Sequence, residues 1–98
     1  MSEKLTIIGR LKAKPGKEAE LRDALLHLVP LSRAEAGCLN YDLHEAIDEP
    51  GLFLLYENWT DQAALDLHFS LAHSKEFAAN APNLLAEPLH ITVLREIS

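Results

Sequence analysis

The stretch CLNYDLHEAIDEPGLFLLYENW, residues 38–59, decides the architecture. CLNYDLHEA sets Leu39, Tyr41 and Leu43 against Asn40, Asp42 and His44, the period-2 alternation of a strand. IDEPG is turn chemistry, so the following run, Leu52 to Trp59, folds back as the second arm of a hairpin. On that arm Phe53, Leu55, Glu57 and Trp59 share one face, and Leu54, Tyr56 and Asn58 share the other.

Upstream, KLTIIGRLKA alternates Leu5, Ile7, Gly9 and Leu11 against Thr6, Ile8, Arg10 and Lys12, a strand with one strongly apolar face. KPGKEAELRD then turns the chain into a helix, with apolar residues at Leu21, Ala24, Leu25, Leu28 and Val29 in the spacing of one helical stripe. Pro30 cannot donate to the carbonyl of Leu26, which predicts a kink or a new short segment there, and Gly37 is a natural helix C-cap. Downstream, Thr60 suits an N-cap and Asp61 the positive first turn of a helix. The stripe Ala64, Leu65, His68, Leu71 and Ala72 follows on one continuous helix, NAPN and EP break it, and LHITVLREI is a last strand.

The order βαββαβ over residues 1–98, one domain, predicts an α+β ferredoxin-like sandwich: an antiparallel four-stranded sheet with both helices on one face. LFLLY is apolar at five consecutive positions, so both faces of that strand want cover while the helices supply only one. An exposed apolar sheet face is usually an interface, which predicts a homodimer packed sheet to sheet.

Composition narrows the partners. Hydrophobic residues make up 48% and charged residues 24% of the chain, the profile of a folded domain. Nine basic against fifteen acidic residues, net charge -6, speak against nucleic acid and against an anionic membrane surface. The single cysteine, Cys38, excludes an intrachain disulfide and reads as a small buried hydrophobe. MSEKLTIIGR lacks the apolar core of a secretion signal, so a cytoplasmic protein is expected.

Glu57, flanked on its face by Leu55 and Trp59, is either half of a buried ion pair with Arg10 or Arg95, or a carboxyl of raised pKa lining a pocket. His68 lies on the inward helical stripe, where a core role and a catalytic role are both open. His73 is five residues on, about 140° around an ideal helix, so the two histidines are not expected to converge on a metal. His44 and His90 fall on strands among polar neighbours. There is no HExxH, GxGxxG, P-loop or GxSxG, and Ser32, Ser70 and Ser74 carry no local base signature. No metal is expected.

The segment EAGCLNYDLHEAIDEPGLFLLYENWTDQAALDLHFSLAHSKEF, residues 35–77, resembles the antibiotic biosynthesis monooxygenase domain through Glu35, Gly37, Tyr41, the Asp-Glu-Pro turn at 48–50, Trp59, His68, His73 and Phe77. The first strand and the KPGKE turn also match, and the pattern is most similar to the small bacterial quinol monooxygenases. The resemblance implies a dimeric α/β-barrel that oxygenates a quinol or polyphenolic compound with dioxygen and without cofactor. It implies that Trp59 walls the pocket, that His68 is an acid/base group, and that Asn40, Tyr41, His73 and Phe77 contact substrate. Haem-degrading relatives use an asparagine in the first strand and a histidine late in the second helix. Here LTIIGRL has no asparagine, and Ala78 and Ala79 fill the late-helix positions, so haem is not expected. Two other functions remain on this scaffold: an isomerase or breakdown enzyme for a small signalling metabolite, and a non-catalytic dimeric binding module.

Overall fold

The alternating segments form four strands: β1 (Leu5–Lys12), β2 (Cys38–Glu45), β3 (Leu52–Trp59) and β4 (His90–Leu94). They are connected through three helices, α1 (Glu18–Arg33), α2 (Gln62–Ser70) and α3 (Ala72–Leu84), in a computed structural model that describes residues 4–98. The sheet order is β2-β3-β1-β4 with every pairing antiparallel, the ferredoxin-like arrangement that the hairpin and crossovers predict. Register matches the alternation. Ile7 and Tyr41 flank Glu57 from the two neighbouring strands, and Leu11 lies opposite Phe53, so the apolar faces of β1 and β3 coincide.

The helices cover that face. Leu21, Leu25 and Leu28 of α1 and Leu65 of α2 bury against Ile7, Leu11, Phe53 and Trp59. Tyr41, Phe53 and Trp59 are at most 1% exposed; as aromatics they each remove about 150–250 Å² from water, the largest single contributions to a small core. The opposite face stays open. There Thr6 Oγ1 donates to Asn58 Oδ1 (2.5 Å), Asn58 Nδ2 to Asn40 Oδ1 (2.7 Å), and Asn40 Nδ2 to Asp42 Oδ2 (3.0 Å). This polar ladder crosses three strands beside half-buried Leu54 and exposed Tyr56.

Local chemistry departs from expectation at five places. Pro30 does not end α1, which continues to Arg33; the proline sits one turn from the helix end on the exposed side, where the carbonyl of Leu26 can be solvated. Gly37 is not a left-handed cap. The C-cap is Ala34, and Gly37 instead permits close approach: a Cβ there would lie 2.3 Å from the Cβ of Ala64. The N-cap of α2 is Asp61 and not Thr60, with the Asp61 carboxylate accepting from the Ala64 amide at 2.9 Å. The last strand is shorter than LHITVLREI, because β4 pairs only along Thr6–Arg10 of β1.

The fifth departure matters most. The expected single helix is two, broken at Leu71 (ψ 155°). Ser70 Oγ donates to the Leu67 carbonyl at 2.6 Å, the acceptor that the Leu71 amide would need for the ladder to continue. The Leu71 amide turns to the His68 carbonyl instead (3.3 Å), and α3 restarts in a new direction.

Candidate functional site

Between the sheet and α2–α3 lies a cavity of about 260 Å³. Ile7, Leu11 and Leu55 line it from the sheet, Phe77 from α3, and Phe69, Leu89 and Ile91 are exposed at its outer side. The volume falls just under the range of about 300–1,000 Å³ usual for small-molecule pockets, and so suits a compact ring system. Four side chains bring polar atoms to this apolar wall: Tyr41, Glu57, His68 and Ser74.

His68 is 3% exposed and is held from behind. Its Nδ1 lies 2.7 Å from Glu35 Oε2, and His73 Nε2 lies 2.7 Å from the same oxygen. A carboxylate oxygen can only accept, so each ring carries a proton on its facing nitrogen. That tautomer leaves His68 Nε2 as an acceptor, with Ser74 Oγ 3.4 Å from it. Glu35 reaches this position because the turn after α1 is pinned at several points. The Glu35 amide bonds the Ser32 carbonyl, the Cys38 amide bonds the Glu35 carbonyl, and Thr60 is tied to the Gly37 carbonyl. Bare Gly37 then lets the turn press against Ala64 of α2.

The second carboxyl is set differently. Glu57 is 5% exposed, and among the described residues no cation pairs with it. The expected ion pair with Arg10 or Arg95 is absent among the described residues: Arg10 pairs with Glu87 at the sheet edge, and Arg95 is exposed. Among the described residues Glu57 Oε1 accepts only the Trp59 indole N–H, at 2.9 Å. Burial pushes its pKa from 4.5 up to about 7; the indole opposes the rise and the Glu35 charge adds to it. Burial likewise raises the Tyr41 phenol well above its ordinary 10.

The predicted site residues thus divide. His68, Tyr41 and Phe77 line the cavity. Trp59 does not wall it: fully buried, its ring lies 4.5 Å from that of His68, and it acts from beneath as a support for His68 and a donor to Glu57. Asn40 faces away from the cavity and belongs to the ladder on the open sheet face. His73 lies outside the cavity lining but meets His68 through Glu35, correcting the expectation that the two histidines diverge. The 140° separation holds only on an unbroken helix. His44 and His90 are exposed, and Cys38 is half-buried, its thiol pushed up to about 11 by burial. Glu35 is the residue that the chemistry of the sequence did not single out. One signal was there: a carboxylate just past a helix C-terminus meets the negative end of the dipole and wants donors from elsewhere.

Comparison with known proteins places the fold and the family. A family model described as antibiotic biosynthesis monooxygenase matches residues 4–80. The chain is 40% identical to "Putative monooxygenase YcnE" of Bacillus subtilis over 83% of its own length and 85% of that protein's. It is 35% identical to "Uncharacterized protein sll1783" of Synechocystis over 93% of its length, but spans only 62% of that relative. The solved structure of PA3566 from Pseudomonas aeruginosa superposes with a TM-score of 0.94 at 40% identity, covering 100% of this chain and 98% of the other.

Proposed function

Because the chain belongs to the antibiotic biosynthesis monooxygenase family, we propose that it is a cofactor-independent monooxygenase that oxidises a compact quinol or polyphenolic compound with dioxygen. One observation carries the reading: an imidazole whose proton position is fixed by Glu35, in the wall of an otherwise apolar cavity. An electron-rich phenolate can itself reduce dioxygen, so the protein must remove a proton, hold the ring and keep water out. His68 Nε2 takes the phenolic proton. The phenolate transfers an electron to dioxygen, and the radical pair joins as a ring-carbon peroxide. Glu57, with a pKa of about 7, protonates that peroxide. Loss of the ring C–H proton expels the distal oxygen as water and leaves a quinone, so one oxygen atom enters the product and the other becomes water.

The reading includes a homodimer joined across the open sheet face, where Tyr56 is 43% exposed beside Leu54 and the polar ladder. Apolar groups with a crossing polar network suit an isologous contact, in which each ladder meets its own copy. Oxygen uptake over a panel of one- and two-ring quinols tests the activity. Uptake with quinone formation, lost in His68→Ala, is expected; turnover of a small metabolite without oxygen consumption would reassign the protein.

A further inference from the structure

The Glu35–His68–His73 cluster has a property that proton transfer does not use. One ligand-type atom from each of Glu35, His68 and His73 lies within 4.8 Å of the other two, and His68 Nδ1 and His73 Nε2 are the nitrogens that face the Glu35 carboxylate. The second oxygen of the same carboxylate, Oε1, is buried and finds no donor among the described residues. A buried carboxylate oxygen without a partner is costly, and a group able to engage both oxygens would remove that cost. We propose that this cluster is a binding site for a divalent first-row transition ion of the zinc type, held by His68, His73 and Glu35.

The donor set selects the ion. Two imidazoles with one carboxylate suit zinc and its borderline neighbours, whereas magnesium and calcium want oxygen donors throughout. The spacing fits after a small opening. Ligand distances of about 2.0–2.1 Å in a tetrahedral site put donor atoms about 3.3 Å apart. The nitrogens now stand 2.7 Å from Glu35 Oε2, so each contact must widen by roughly 0.6 Å as the ion replaces two protons. Glu35 Oε1, without a donor of its own among the described residues, is available as a further ligand, and Ser74 Oγ lies 3.5 Å from His68 Nδ1. A route from solvent exists as well. His73 is partly exposed and lines a surface hollow between α1 and α3 that also holds His27 and Glu76.

The sequence spacing argues against this site on a straight helix. The break between α2 and α3 at Leu71 (ψ 155°) takes His73 off the line of α2, and both histidines reach Glu35. Occupancy also has a consequence for the cavity. An imidazole bound to metal through Nδ1 must keep its remaining proton on Nε2, so the acceptor that His68 offers the cavity becomes a donor. The ion would then act as an inhibitor of the proton transfer and not as its cofactor. That consequence rests on the oxygenase reading above, whereas the binding does not.

The test is titration of the tag-free, full-length chain with zinc chloride by calorimetry in the absence of any quinol, with cobalt(II) as a spectroscopic reporter. Expected are one zinc per chain at micromolar affinity or tighter and a visible cobalt absorption of low-coordinate type. His73→Gln keeps an N–H for Glu35 but is a poor ligand; it and Glu35→Gln should weaken binding by about 100-fold, and His27→Ala should leave it unchanged. The absence of saturable 1:1 binding, or equal binding by wild type, His73→Gln and Glu35→Gln, overturns the site. Zinc bound as expected by a protein that consumes no oxygen with any quinol would leave the site standing and remove the oxygenase reading; oxygenase activity without zinc binding does the reverse.

Discussion

Replacing Glu57 with glutamine isolates the cost of burying its charge. The amide is nearly isosteric, and its oxygen can still accept the Trp59 N–H that Glu57 Oε1 now holds at 2.9 Å. In the wild type, burial raises the carboxyl from 4.5 to about 7. A carboxyl raised in the folded state adds stability that is fully present below the unfolded pKa and is lost as pH rises through the folded one. Over that window of about 2.5 units, at 1.36 kcal/mol per unit, roughly 3 kcal/mol is at stake. Most of it disappears between pH 5 and pH 8. Glutamine cannot ionise and escapes the loss. Glu57→Gln should therefore match wild type within about 1 kcal/mol near pH 5, and exceed it by about 2–3 kcal/mol near pH 8. Urea melts at matched protein concentration give the two differences directly. A stability gap between the two proteins that stays constant from pH 5 to pH 8 would refute the assignment of a raised pKa to Glu57.

His68→Ala should lower kcat for quinol oxidation by about 100-fold or more with the fold retained, and His73→Ala by much less, because the Glu35–His68 contact survives it; equal small losses in steady-state rates would make His68 a packing residue. Tyr56→Asp places a charge on the open sheet face and should shift sedimentation from dimer to monomer, whereas a wild-type monomer at micromolar concentration would remove the dimer altogether. Gly37→Ala puts its Cβ into Ala64 and should cost about 1–3 kcal/mol, with partial recovery on adding Ala64→Gly; additive costs in thermal melts of the double variant would show that the contact is not the cause.

The fold was legible because one face of each strand is buried, and burial writes itself as alternation. Leu39, Tyr41 and Leu43 against Asn40, Asp42 and His44, followed by IDEPG, allow few chain paths other than a hairpin in an antiparallel sheet. The cavity side of β3 was legible for the same reason, and so was the inward stripe that carries His68. The details that assemble the site were not. The break at Leu71 accompanies a bond from the Ser70 hydroxyl to the Leu67 carbonyl, and a serine within an apolar helical pattern gives no sign of which bond it will make. Glu35 meets His68 from 33 residues away, through a turn whose position relies on Gly37 being bare. Pairings of that kind follow from tertiary approach and leave no period in the sequence.

The two carboxyls illustrate why so small a domain keeps polar groups in its core. Glu57 and Glu35 are both nearly buried, and apolar residues of similar volume would commonly make such positions more stable. The environments differ in one decisive respect. Glu35 receives two imidazole N–H groups on one oxygen, whereas Glu57 receives a single neutral indole N–H and its pKa rises. One carboxyl can therefore orient an imidazole while the other holds a proton near neutrality, and Trp59 links them by stacking near His68 and donating to Glu57. Divergent environments for paired titratable groups are the arrangement that lets acid and base coexist at one pH. Stability is spent at these positions and recovered in the apolar core of Ile7, Leu11, Leu25 and Phe53, none of which carries a group able to move a proton.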